Sequence, residues 1–96
     1  MIISVTPELY REMADRLREA IRVSDYFSGT ILYAQEDVES RFTASLIVYQ
    51  RAVNAPDGKF CEITDLVPVW WEFHTLVAGE EVINDFEFSE LKSYIL

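Results

Sequence analysis

A chain of 96 residues, half of them hydrophobic and 14% aromatic, suffices for one folded domain spanning 1–96 and is too short for two cores. Its single cysteine, Cys61, excludes an internal disulfide and a cysteine-based zinc site, and its net charge of −9 argues against direct nucleic-acid binding, because phosphate backbones are repelled. No apolar run approaches the ~20 residues that span a bilayer, and Met-Ile-Ile-Ser-Val lacks the features of a signal peptide, so a cytoplasmic protein away from membranes is expected.

The first element is an amphipathic helix over about 6–23. Thr6 has the character of an N-cap, Pro7 suits the first helical position, and Glu8 sits where the helix dipole favours an anion. Val5 and Tyr10 have the spacing of a hydrophobic staple. Leu9, Met13, Leu17, Ala20 and Ile21 recur at three- and four-residue intervals and form one apolar stripe. Arg11 with Asp15, Glu12 with Arg16 and Glu19 with Arg22 are spaced for ion pairs on the solvated faces.

The period then changes to two. Tyr26–Gln35 reads as a strand with a candidate bulge at Gly29, and 36–39 as a turn. Arg41–Val53 is a long strand, and 54–58 (Asn-Ala-Pro-Asp-Gly) a strong turn signal. Lys59–Asp65 and Val69–Val77 read as two further strands separated by Pro68. The segment 78–81 (Ala-Gly-Glu-Glu) turns the chain into a last strand, Val82–Phe88, after which Ser89 either caps a short helical turn or begins an extended tail.

The fold class is therefore α+β, with the helix packed on one face of a four- to five-stranded antiparallel meander. This element order resembles that of cystatin-like folds. The resemblance is one of topology and is carried by no motif; it implies a curved sheet able to leave a pocket under the helix.

An even-length turn over 78–81 predicts that facing residues in the last hairpin have numbers summing to 159. Phe73 then meets Phe86 and Trp71 meets Phe88 on the face toward the helix. The opposite face receives Trp70, Glu72, His74, Asp85 and Glu87, with His74 across from Asp85 and Glu72 across from Glu87. These five are the candidate binding residues. Imidazole and carboxylates are possible ligands for zinc or manganese, but one histidine without characteristic ligand spacing favours no metal. Cys61 reads as a small buried hydrophobe rather than as a nucleophile paired with His74. With three isolated glycines there is no phosphate cradle, and no catalytic signature or cofactor motif is present.

The charge is unevenly placed. Residues 1–23 hold four acids and four arginines, whereas 24–96 hold thirteen acids against Arg41, Arg51, Lys59 and Lys92. A protein-binding or self-associating module, working through Trp70 and the apolar tail (Leu91, Tyr94, Ile95, Leu96), is the leading expectation. Its partner is another protein or a second copy. An acidic mimic of nucleic acid and a small-molecule or metal-binding domain are the alternatives.

Overall fold

The computed structural model describes residues 2–96. Its elements are β1 (Ile2–Ile3), α1 (Pro7–Ile21), β2 (Tyr26–Gln35), β3 (Val38–Ala55), β4 (Gly58–Val77), β5 (Glu80–Asn84) and α2 (Phe88–Ile95). The strands form one sheet in the order β1-β5-β4-β3-β2. The fold is α+β with an N-terminal helix. The sheet is not wholly antiparallel as expected, because β1 runs parallel to β5 at its edge.

Helix α1 begins where its capping chemistry places it. The Thr6 hydroxyl accepts from the Leu9 amide at 3.2 Å, and Pro7 occupies the first turn. It ends at Ile21, two residues before the expected limit, because Arg22 takes a positive φ of 53° and donates its amide to Arg18 O. Tyr10, Met13, Ala14, Leu17 and Ile21 are the buried stripe. Of the expected ion pairs Glu12–Arg16 forms at 3.5 Å, whereas Asp15 binds Arg18 rather than Arg11. Arg11 instead lies over the Tyr94 ring at 5.9 Å.

The sheet is dominated by one very long hairpin, β3–β4. Lys59–Asp65 and Val69–Val77 are not separate strands but parts of β4, which runs through Pro68. Two irregularities let it do so. Ser45 pairs with Trp70 while Leu46 pairs with Pro68, leaving Val69 as an extra residue, and Thr64 is similarly extra between Ile63 and Asp65. At Pro68 the far side of β4 has no neighbour, since β5 pairs only with Thr75–Val77, so the missing amide breaks no ladder. No bulge occurs at Gly29: β2 pairs with β3 in unbroken register.

The last hairpin closes on a two-residue turn, Ala78-Gly79, with φ of 52° and 83°. Thr75 faces Val82 and Val77 faces Glu80, so facing numbers sum to 157 rather than 159. A shift of two keeps the side chains of β5 on their expected faces but changes their neighbours. Strand β5 stops at Asn84, short of the expected Phe88. There Asn84 donates from Nδ2 to Phe73 O at 3.3 Å and accepts from the Phe86 amide at 3.0 Å, turning the chain toward α2. Helix α2 starts at Phe88 behind Glu87, not behind a Ser89 cap.

One core joins the buried stripe of α1, the inward residues of β2–β4, and Phe86, Phe88, Leu91 and Ile95. Phe42 is fully buried at its centre, with ring centroids 5.6 Å from Phe86 and 6.2 Å from Phe88. Phe73 stacks on Phe86 at 4.1 Å and 2°. Trp71 packs against Phe86 and Phe88 but stays partly exposed, a rim residue rather than a core one. Truncating Phe42 to alanine removes the ring on which both other phenylalanines rest. Urea denaturation should show a loss of about 3–5 kcal/mol.

Candidate functional site

Alternation along the strands sorts the sheet into two faces. Phe27, Ile31, Phe42, Leu46, Val48, Leu66 and Phe73 point to the helices and are buried. Their neighbours point the other way, onto a face that no element covers. Trp70, Glu72 and His74 lie on that open face, as expected. Asp85 and Glu87 do not join them. The turn that shortens β5 carries both to the α1 side, where Asp85 Oδ1 accepts from the Val5 amide at 2.7 Å and the Glu87 amide donates to the Tyr10 hydroxyl at 3.0 Å. Burial pushes the Tyr10 hydroxyl pKa up, and the nearby acids Asp85, Glu90 and Glu87 add to it.

The partner that sequence reasoning missed is Glu81. His74 Nε2 lies 2.8 Å from Glu72 Oε2, and Nδ1 lies 2.7 Å from Glu81 Oε1. The expected Glu72–Glu87 and His74–Asp85 pairs are therefore replaced. The two-residue turn sets Glu81 opposite Leu76, close enough to reach His74. Each carboxylate takes a different ring nitrogen, so imidazole and carboxylates do not converge on one point, as ligands of a shared ion must. Among the described residues no group of three or more such side chains is arranged to hold a metal. The arrangement favours the protonated imidazole instead. Glu72 first, and Glu81 after it, raise the His74 pKa against the opposing effect of burial.

On the open face the residues form rows across the strands. Tyr26 faces Ile47, and Ile47 faces Val67. These three are 49%, 38% and 39% exposed, and Trp70 in the adjoining row is 47% exposed. Val69, the extra residue of the bulge, and Tyr49 extend the apolar area. Toward the turn ends the face becomes polar: Thr30–Thr43–Glu72, then Leu32–Arg41–His74. There Arg41 binds Glu39 at 2.7 Å. Tyr33 is not part of this face. It points to the helix side, with the Arg16 guanidinium 5.1 Å from its ring.

Beyond Asp25 strand β2 has ended, and β3 and β4 continue alone as a two-stranded arm, Tyr49–Ala55 with Gly58–Asp65. Gln50 anchors its base, donating from Nε2 to Arg22 O at 3.1 Å and Ser24 O at 2.7 Å. Arg51 binds Glu62 at 2.9 Å across the arm. Cys61 is exposed there, not buried, because the helices do not extend over the arm; His74 stands far along the same strand, which leaves the pair no common chemistry.

On the helix side a groove of about 630 Å³ opens between the first half of α1 and the β2–β3 turn. Leu9, Tyr33, Val38 and Ser40 line it, with Glu8 and Glu36 among its acids. No helix among the described residues is long and apolar enough to cross a membrane. No protein-family model, curated protein or solved structure matches the chain.

The His74 proton gives a pH signature. A raised pKa in the fold means that the contribution to stability is full below the ordinary value of 6.5 and is lost as pH rises through the folded value. Wild type should therefore lose stability relative to His74→Gln as the pH rises above 6.5, modestly, because the imidazole is partly exposed. NMR titration of the ring should place its midpoint above 6.5, and Glu72→Gln should lower it more than Glu81→Gln does.

Proposed function

We propose that the chain is a protein-interaction module that docks a second protein on the open face of its sheet. One observation carries this reading: the row Tyr26–Ile47–Val67, with Trp70 beside it, is a contiguous exposed apolar area on a face that none of the described residues covers. Trp70 is the anchor, since tryptophan and tyrosine dominate the energetics of interfaces. The complementary partner presents an apolar centre with a basic surround, because this chain carries −9.

Acidic mimicry of nucleic acid finds less support. It needs free carboxylates spaced like phosphates, whereas Glu39, Glu62, Glu72 and Glu81 are tied to Arg41, Arg51 and His74. A small-molecule site is favoured by a different observation, the groove beside α1, whose volume lies in the usual range for ligand pockets. The cystatin-like helix-over-sheet order belongs with that second reading. A metabolite held there raises the melting temperature of wild type and not of Tyr33→Ala.

For the interaction reading, tagged wild type and the variants Trp70→Ala and Ile47→Asp are compared as baits, with circular dichroism confirming the fold. Partners docked on the open face are retained by wild type and lost by both variants. Partners held equally by all three baits do not use this face.

A further inference from the structure

Strand β2 is one edge of the sheet, and it lacks the ordinary guards of an edge. Its ten residues, YFSGTILYAQ, include no charge and no proline and pair with β3 without a bulge, although lysines, prolines and bulges are what usually protect such strands. The opposite edge, β1, is only two residues long.

The direction of the edge groups follows from the ladder. Val48 donates its amide to Asp25 O at 2.9 Å, and the two-residue turn closes on the Gln35–Val38 pair. Odd-numbered residues of this segment therefore spend their amides and carbonyls on β3, and Tyr26, Ser28, Thr30, Leu32 and Ala34 turn theirs outward. Arg16 Nη1 meets Leu32 O at 3.4 Å, on the side that this alternation requires.

We infer that β2 pairs antiparallel with β2 of a second copy, across a twofold axis at Thr30, to form a continuous sheet. With Thr30 opposite its own copy, Ser28 faces Leu32 and Tyr26 faces Ala34 of the second chain. All five outward residues then find partners, giving about ten hydrogen bonds, two for each pair. On the helix side the same register sets Phe27 against Tyr33 and Gly29 against Ile31, an aromatic pair and a small-to-large pair. On the open side the Thr30 hydroxyl, already 2.9 Å from Thr43 Oγ1, meets its twin. A slip in either direction leaves outward residues unpaired at both ends.

Charge selects a second copy for this edge. Residues 1–35 carry five acids and four arginines, so most of the −9 lies in 36–96. In this register the ten paired residues of each β2 carry no charge, and Asp25 and Glu36 of opposite copies come close only at the two ends, whereas meeting at the β1–β5 edge would bring together Glu80 and Glu81. Arg16 leaves Leu32 O when the strands pair, and so acts as the gatekeeper of the edge. A ladder of about ten hydrogen bonds between strands with few large exposed side chains makes a weak dimer, read over a micromolar range of concentration.

Sedimentation velocity of the full chain, from low to high micromolar concentration, tests this. Wild type shifts with concentration from the 11.2 kDa monomer toward twice that mass. Thr30→Lys sets two ammonium groups on the axis and weakens the dimer by at least about tenfold. Thr30→Pro removes an outward amide while leaving the β3 ladder intact, and also yields monomer. Arg16→Ala frees Leu32 O and tightens association several-fold. Ile47→Asp leaves the dimer unchanged, which separates this edge from the open face. Thr30→Lys alters an exposed side chain and decides the matter if Thr30→Pro does not fold. A chain that stays monomeric throughout, both as wild type and as Arg16→Ala, overturns the inference, as does a dimer that a folded Thr30→Lys leaves intact.

Discussion

The stack of Phe73 on Phe86 fixes where everything after β4 goes. With the two rings parallel at 4.1 Å, the chain cannot continue β5 along the sheet and must fold over its helix side. Asn84 makes the turn, Phe88 and Leu91 enter the core behind Phe86, and α2 comes to lie against α1. The same stack reaches α1 through Tyr10, whose ring lies 5.6 Å from Phe86 and whose hydroxyl accepts the Glu87 amide. First helix, sheet and C-terminal segment thus meet around one group of aromatic rings. Both helices are committed to one side of the sheet, and the other side is left open.

That division into sides was legible in the sequence, because it depends only on parity. Trp71, Phe73, Phe86 and Phe88 meet on the helix side, and Trp70, Glu72 and His74 lie opposite, although the hairpin register differs from the expected one by two residues. The neighbours were not legible, because they depend on turn length. Ala78 adopts a left-handed conformation that costs a non-glycine residue energy, and a sequence gives little warning of it. The shorter turn brings Glu81 within reach of His74, and the bend at Asn84 takes Asp85 and Glu87 away. Pro68 misled for a related reason. Whether proline breaks a strand depends on whether its amide side has a neighbour, and here β5 is too short to supply one.

Charge and exposure divide the molecule along different lines. The acids of 24–96 are spread over strand faces, turns and α2, and several on the open face are neutralised locally by Arg41, Arg51 and His74. What this leaves on the open face is a polar half at the turn end and an apolar half near the base of the arm. A surface divided in this way can orient a partner as well as hold it, since charges set register while apolar area supplies affinity.

The arm bears on the same question. A hairpin of two strands is marginally stable by itself, and this one continues past Tyr26, the first residue of β2. Its inward residues, Ala52 and Cys61 or Asn54 and Lys59, are too small or too polar to form a core of their own. On the side continuous with the open face, Tyr49 opposite Asp65 is followed by the Arg51–Glu62 ion pair and then by Val53 opposite Phe60, which is 52% exposed. The apolar half of the open face therefore reaches Tyr49 and is interrupted by Asp65 and the Arg51–Glu62 pair, beyond which Val53 and Phe60 form a separate apolar tip. Folding of the chain gains little from exposed aromatic residues at the end of a thin ribbon. Binding gains more, because a partner seated on Trp70 and Ile47 would bury Tyr49 as well, and one that extended past the Arg51–Glu62 pair would also cover Phe60.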